Sequence, residues 1–229
     1  MTDLRIIIEF IESKCVAIIK NIDQESIDVY KFLQTQFRSS DVSKNYLFQF
    51  VYRNFYRLDN AGLTKDFKIE YFKVMERYKN EDVPDYETVL TPFHDIRNLK
   101  DHDSLQFSFI TKLLATIHDQ LPIYDSAVAK VFGMKRPVVK EPERKLQLYK
   151  EQFKHIKGAY LIIMGQKLLP RTISEFNHRF PEHGLSDIKV LDFIFWSTGK
   201  LISSGSLNSE ASLSEYTVTA NQNHLQNLI

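Results

Sequence analysis

The chain has 229 residues, and its 30 Lys and Arg against 29 Asp and Glu give a formal net charge of +1. Hydrophobic residues make up 43% of the chain and only seven residues are Gly, which excludes collagen-like chains and wholesale disorder. The single cysteine, Cys15, excludes a disulfide scaffold and, without a basic-then-apolar leader, predicts a cytoplasmic setting. The longest apolar runs are far below the roughly 20 residues of a membrane span, so no membrane partner is expected.

Apolar residues recur at helical spacing along most of the chain. In chain order this spacing predicts helices over residues 4–22, 24–37, 44–58, 64–78, 104–117, 126–132 and 142–164, one opening at 172, and one over 187–202. The aromatic residues of the helix over 44–58 are expected to form core. Pro84 and Pro92 bracket a short segment, and a loop-rich connection is predicted from there to Asp103.

The order of these elements predicts an all-α fold, because neither Gly-rich hairpin turns nor regularly spaced strands occur. We expect one compact multi-helix domain over residues 1–202, with a division into two lobes, 1–100 and 101–202, as the alternative. The centre of the chain is predicted to form a helix, a tight turn and a second helix, in the manner of a degenerate helix-hairpin-helix element. Residues 203–229 are rich in Ser and Asn and predict an irregular tail.

Positive charge is concentrated directly after this central element. Residues 130–157 hold nine Lys and Arg and three Glu, a local excess that suits contact with DNA phosphates. On charge alone, a solvated helix face whose lysines keep the protein soluble is the favoured interpretation. The residues predicted to contact DNA are Lys130, Lys135, Arg136, Lys140, Arg144 and Lys145.

The most informative segment is residues 107–133, FSFITKLLATIHDQLPIYDSAVAKVFG. Its run from Thr111 to Leu114, followed by Pro122-Ile123-Tyr124-Asp125 and an apolar helix start, resembles the helix-hairpin-helix DNA glycosylases, particularly their 8-oxoguanine glycosylase branch. The resemblance implies an enzyme that flips a damaged or modified base out of double-stranded DNA and cleaves its N-glycosidic bond. It implies no cofactor.

The same resemblance implies roles for two residues. Asp125 corresponds to the catalytic aspartate, which stabilises the oxocarbenium-like sugar as the base departs or helps to deprotonate the attacking group. Lys112 corresponds to the lysine that, in bifunctional members, attacks the sugar carbon and forms a Schiff base. From the residues alone, a helix cap is the favoured interpretation of Asp125. Lys112 lies off the apolar stripe, facing either solvent or a cleft, and an exposed lysine is the commoner case.

Two other classes of function stay open on the sequence: a noncatalytic helical nucleic-acid-binding protein, and a helical interaction module without affinity for DNA. The seven histidines are scattered and cysteine pairs are absent, so no metal site is predicted. Lys189, Asp192 and Trp196 share a helix flank that is interpreted as a salt-bridged, partly buried surface. Arg53 and Arg57 are interpreted as packing against a neighbouring helix, with phosphate binding as the alternative.

Overall fold

The computed structural model of the chain describes residues 2–81, 86–93 and 105–207. Over these ranges the regular elements are all helical, which confirms the predicted all-α class. The α-helices are α1 (Leu4–Ser13), α2 (Cys15–Lys20), α3 (Gln24–Ser39), α4 (Tyr46–Phe55), α5 (Lys65–Arg77), α6 (Tyr86–Leu90), α7 (Phe107–Ile117), α8 (Ser126–Val131), α9 (Pro142–Gln166), α10 (Pro170–Arg179) and α11 (Asp187–Ser203). Short 3₁₀ turns follow α4 and α6, at Leu58–Asn60 and Thr91–Phe93.

The chain divides into two units, and each is built from segments that are distant in sequence. Unit 1 combines the chain up to Ile22, the segment Asp125–Val138 and the chain from Lys150 onward. Unit 2 combines Asp23–Tyr124 with Val139–Tyr149. This division differs from the alternative of lobes 1–100 and 101–202, because α1 and α2 pack with helices from the far end of the chain.

Unit 1 is organised around α11, which packs against α2 and α8. Helix α11 is buried on nearly all sides, and its Gly199 lies against the backbone of Ala127 in α8. The Ser197 hydroxyl donates to the Ile18 carbonyl oxygen at 2.7 Å, which ties α11 to α2. Helix α10 packs on α1 and α2, and its Thr172 donates twice to the Glu12 carboxylate, at 3.1 Å from N–H and 3.0 Å from the hydroxyl.

Unit 2 has a core of aromatic side chains between α4 and α5. Phe48 and Tyr52 of α4 both meet Phe72 of α5 edge to face, with ring centroids 6.0 and 5.6 Å apart. Edge-to-face pairs of this kind stabilise a core beyond the area that they bury. The expectation that the aromatic residues of this helix form core is confirmed for Phe48 and Tyr52, and Phe55 packs against the same core. Tyr46 and Phe50, which lie outside that helical spacing, are on the exposed face of α4.

The ends of the helices follow local chemistry, with three corrections to the predicted bounds. The helix predicted over 4–22 is interrupted at Lys14, where the Ser13 hydroxyl donates to the Phe10 carbonyl oxygen and competes with the helical N–H. The helix predicted to begin at residue 44 begins at Tyr46, because Asn45 caps it and accepts from the Phe48 N–H at 3.0 Å. The helix expected to open at Thr172 begins at Pro170, a residue suited to the first helical position.

Two predicted segments extend beyond the described residues. The segment between Pro84 and Pro92 contains α6. The connection that was predicted to run on to Asp103, and the predicted helix start at 104, lie outside the described ranges. The tail predicted over 203–229 is described only to Leu207, and α11 ends at Ser203 where that tail was expected to begin.

Candidate functional site

Lys112 lies in α7, a helix that is buried all round. Seven consecutive residues, Ile110 to Thr116, are buried, and Lys112 is only 8% exposed. Its ammonium donates to the Ser108 hydroxyl oxygen at 3.1 Å and lies 5.0 Å from the centre of the Phe109 ring. The solvent-facing alternative for Lys112 is therefore wrong, because a helical wheel assumes one wet face and α7 has none along this stretch.

A chain of buried hydroxyl groups supports the turn of α7 that carries Lys112. The Thr116 hydroxyl donates to the Lys112 carbonyl oxygen at 2.8 Å and lies 3.1 Å from the Tyr52 hydroxyl. Tyr52 in turn lies 3.1 Å from the Tyr71 hydroxyl, which donates to the Phe109 carbonyl oxygen at 2.8 Å. Helices α4, α5 and α7 of unit 2 are thus joined through polar groups inside the core.

The two tyrosines of this network stay protonated over a wide pH range. Burial raises the pKa of Tyr52 and of Tyr71 well above the ordinary value of 10.0. Tyr71 and Thr116 each donate their hydroxyl proton to a carbonyl oxygen. In their contacts with Tyr52 they are therefore acceptors, and the single proton of Tyr52 can be donated to one of them at a time. The position of the Lys112 backbone therefore depends on neutral hydroxyl groups and changes little with pH around neutrality.

The connection after α7 folds back along that helix. The Tyr124 N–H donates to the Thr111 hydroxyl oxygen at 3.1 Å, and that hydroxyl also lies 3.3 Å from the Tyr124 carbonyl oxygen. The Tyr124 ring meets Phe107 edge to face at 5.3 Å. The predicted tight turn is thus a longer connection from His118 to Asp125, and its last residues are fixed to the first two turns of α7.

Asp125 caps α8, as one of the two interpretations of the sequence predicts. Its carboxylate accepts from the Ala127 N–H at 2.9 Å, and the residue is half-buried. A carboxylate at a helix N-terminus is favoured by the hydrogen bond and by the helix dipole. Because α8 packs on α11 at Gly199, the position of Asp125 in unit 1 depends on that close contact between helices.

The residues expected to act together in catalysis belong to different units: Lys112 to unit 2 and Asp125 to unit 1. The residues expected to contact DNA divide in the same way. Lys130, Lys135 and Arg136 belong to unit 1, and all three are exposed. Lys140, Arg144 and Lys145 belong to unit 2, where the first two are exposed and Lys145 is half-buried. None of the six forms a salt bridge with another described residue.

A buried ion pair in unit 1 is a further group of charged residues. The Lys189 ammonium lies 2.7 Å from the Asp192 carboxylate, and the two side chains are only 3% and 7% exposed. Burial raises the pKa of Tyr160 well above its ordinary value, and the charge of Asp192 acts in the same direction. The predicted salt bridge is confirmed, but the predicted partly buried surface is wrong. The sequence feature that could have predicted this burial is the run of apolar residues around the pair in α11, from Ile188 to Phe195.

Among the described residues, no three His, Cys, Asp or Glu side chains come together in a group that suits a metal ion. The same part of the chain contains no helix with the length and apolar character needed to cross a bilayer. No protein-family model, no curated protein and no solved structure matches this chain.

Proposed function

We propose that the protein is a DNA glycosylase-like enzyme in which the Lys112 amine is the nucleophile and Asp125 supplies the catalytic carboxylate. The observation that carries the proposal is the placement of Lys112. A surface lysine samples many rotamers, whereas this amine is buried and held between the Ser108 hydroxyl and the Phe109 ring. A nucleophile fixed in this way loses little conformational entropy when it meets its substrate.

The reaction assigned to these groups is displacement at the sugar carbon that carries the base. The Lys112 amine, in its neutral form, forms a bond to C1′ while the glycosidic bond breaks and leaves its electron pair on the departing base. The Asp125 carboxylate stabilises the positive charge that develops on the sugar. The attached nitrogen loses a proton to the departing base. Opening of the sugar ring, in which the C1′–O4′ bond breaks and water protonates O4′, then gives a protonated Schiff base between Lys112 and C1′, and hydrolysis by water restores the amine and releases the sugar as an aldehyde.

The exposed cations provide the means to hold DNA. Lys130, Lys135, Arg136, Lys140 and Arg144 are exposed and form no salt bridge with a described residue, so their charges are available to phosphates. Binding that uses several such contacts weakens steeply as salt rises. The same cations also favour the second candidate, a noncatalytic DNA-binding protein, which predicts the same salt dependence without any role for Asp125 or Lys112.

The first test compares affinity for a duplex that carries a stable abasic-site analogue with affinity for the matched intact duplex at fixed salt. A base-flipping enzyme is expected to prefer the abasic duplex by about tenfold or more, equivalent to about 1.4 kcal/mol. Equal affinity for the two duplexes favours the noncatalytic DNA-binding protein. Absence of binding to either duplex refutes both candidates and leaves the interaction module.

The second test detects the Schiff base itself. The full chain is mixed with a duplex containing a natural abasic aldehyde, and sodium borohydride reduces any imine to a stable amine that links protein to DNA. Lys112→Arg keeps the charge but removes the nucleophile, and it is expected to abolish the cross-link. Lys20→Gln, which removes an exposed lysine of α2 in unit 1, is the control and keeps the cross-link. A cross-link that persists in Lys112→Arg shows that another amine reacts.

A third test separates the charge of Asp125 from its role as a helix cap. Asn caps a helix about as well as Asp, so Asp125→Asn is expected to unfold at nearly the wild-type temperature. Cross-linking to the abasic duplex is expected to persist in this variant, because formation of the imine does not need a departing base. Base excision, measured on a panel of duplexes with modified bases, is expected to be lost. Full excision by Asp125→Asn refutes the role of this carboxylate.

A further inference from the structure

A group of exposed residues on α4, in unit 2, has no role in the proposed glycosylase reaction. Tyr46, Leu47 and Phe50 are 80%, 63% and 57% exposed, although large apolar side chains of this kind are usually buried. On a helical wheel the three lie within an arc of about 100°. Lys44 precedes them and Arg57 follows the end of the helix, and both are exposed. We call these five residues the α4 surface.

The two aromatic rings of the α4 surface are available to a ligand. Tyr46 and Phe50 make no ring contact with any described residue, whereas Phe48 and Tyr52 on the opposite side of α4 each contact Phe72. Tyr46 and Phe50 are four residues apart, so they are neighbours on one face, separated by about 6 Å along the helix axis. The helix therefore presents two unstacked aromatic faces side by side.

The segment that carries these rings has formal charge of one sign, with a carboxylate directly before it and another directly after it. Residues 42–58 contain Lys44, Arg53 and Arg57 and no Asp or Glu. Lys44 lies 2.8 Å from Asp41 and Arg53 lies 3.1 Å from Asp59, but ion pairs this exposed to solvent are weak and exchange readily for another anion. Arg57 forms no salt bridge with any described residue. The surroundings of the α4 surface thus suit a ligand with repeated negative charges.

Arg57 occupies its position at an energetic cost. Its φ of 58° and ψ of 34° place it in the left-handed region, directly after the residue that ends α4. Glycine is the favoured residue there, because a side chain in this conformation crowds the backbone. Arg57 is exposed and forms no salt bridge with a described residue, so glycine at this position would remove the strain without breaking an ion pair. What it adds is a cation at the end of the aromatic face.

We propose that the α4 surface binds single-stranded nucleic acid, with unpaired bases stacked on Tyr46 and Phe50 and phosphates held by Lys44 and Arg57. Single-stranded nucleic acid is the ligand that offers flat apolar faces and a negative charge at every repeat, and proteins bind it with aromatic residues in a basic setting. A protein partner does not in general offer flat apolar rings together with a negative charge at every repeat, so it is the less favoured ligand. The proposal does not depend on the glycosylase reaction, since none of these residues takes part in it.

The test measures binding of the full chain to a fluorescently labelled oligothymidylate by fluorescence anisotropy. Loss of one stacked base costs on the order of 1–3 kcal/mol, so Tyr46→Ala and Phe50→Ala are each expected to weaken binding by at least about fivefold, and the double variant by more. Ile69→Ala is the matched control, because Ile69 is an exposed apolar residue of α5 in the same unit. This variant is expected to bind like wild type.

Arg57→Gly separates binding from stability. If the cation contacts a phosphate, this variant binds the oligonucleotide more weakly and the slope of log affinity against log salt falls by about 0.7. Its melting temperature is expected to rise, because glycine relieves the left-handed strain. If Arg57 does not contact the ligand, Arg57→Gly gives the same rise in melting temperature but binds the oligonucleotide as tightly as wild type, and this result counts against the proposal.

Two outcomes overturn the proposal. The first is a binding assay that shows no role for the surface: either wild-type protein does not bind oligothymidylate, or the Tyr46→Ala/Phe50→Ala variant binds it as well as wild type does. The second is self-association of the wild-type chain in sedimentation velocity that the same double variant abolishes, because the apolar face is then an interface between copies. A wild-type chain that binds the oligonucleotide through Tyr46 and Phe50 but gives no borohydride cross-link refutes the glycosylase reaction alone, so the two failures are distinguishable.

Discussion

Replacing Gly199 with alanine forces two helices of unit 1 apart. A Cβ atom at this position would lie 2.0 Å from the Ala127 carbonyl oxygen and 2.5 Å from its carbon, whereas ordinary contacts begin at 3.4 Å. Both obstructing atoms belong to the backbone, so no side-chain rotation relieves the overlap. Helices α8 and α11 must therefore separate locally by more than about 1 Å, at a site where close packing transmits the strain.

The expected loss of stability follows from two opposing terms. Alanine in a helix interior gains about 1 kcal/mol over glycine, and this gain alone stabilises the variant. Overpacking that moves backbone costs about 1–3 kcal/mol and sometimes more, and a 2.0 Å overlap with a carbonyl belongs at or above the upper end. We expect Gly199→Ala to lower the free energy of unfolding by about 2 kcal/mol.

Urea titration followed by tryptophan fluorescence measures this loss in unit 1. Trp196 is the single tryptophan of the chain and lies in α11, one turn from Gly199. With an m-value of about 2 kcal/mol per M, the midpoint is expected to fall by roughly 1 M. Gly158 in α9 is the matched control, because a Cβ there meets no atom within 4 Å, and Gly158→Ala is expected to raise stability by about 0.5–1 kcal/mol. Equal or greater stability of Gly199→Ala than of Gly158→Ala refutes the close-contact argument.

Three further predictions concern charged and titrating groups. Lys189→Met leaves the Asp192 carboxylate buried without its ammonium partner, and it is expected to lower the free energy of unfolding by about 3–5 kcal/mol in the same urea titration. The double variant Lys189→Met/Asp192→Leu is expected to recover most of this loss, and a single variant as stable as wild type contradicts the prediction. The hydrogen bond from Lys44 lowers the pKa of Asp41 from 3.8 to about 2, so its contribution to stability is present above about pH 4 and lost as pH falls towards 2. Lys44→Met is expected to return this pKa towards 3.8 in an NMR titration of the carboxyl carbon, and an unchanged value counts against the ion pair. Burial raises the pKa of Tyr52, so the contribution of this group to stability is expected to be fully present below pH 10 and to be lost as pH rises above it; ionisation of every tyrosine near pH 10 in an ultraviolet titration of the folded protein argues against this.

Sequence reasoning succeeded where structure is set by nearby residues. The helix predicted over 142–164 is α9, and the helix predicted over 187–202 is α11, which Ser186 caps by accepting from the Lys189 N–H. Thr64 likewise caps α5, through the Phe67 N–H at 3.2 Å. Helical spacing and capping depend on residues a few positions apart, so they can be predicted from a single sequence.

Burial was harder to predict because it depends on segments far along the chain. A helical wheel placed Lys112 away from the apolar stripe, yet α7 is surrounded by core and even its threonines and lysine are buried. In the same way, Leu47 shares the helical spacing of the buried Phe48 and Tyr52 in α4, yet it is 63% exposed. The division into units also depends on pairing of α1 and α2 with α10 and α11, which no local pattern contains.

The discontinuous units impose an order on folding during synthesis. Asn21 donates to the Ser197 hydroxyl oxygen across 176 residues of sequence, so the first helices of unit 1 are made long before their partners. At about 5–20 residues per second a ribosome needs roughly 10–35 s to cover that interval. Unit 2, whose last segment ends at Tyr149, is complete well before α11 is translated. The apolar residues of α1 and α2 that are buried in the folded unit therefore lack their α10 and α11 partners for most of this interval.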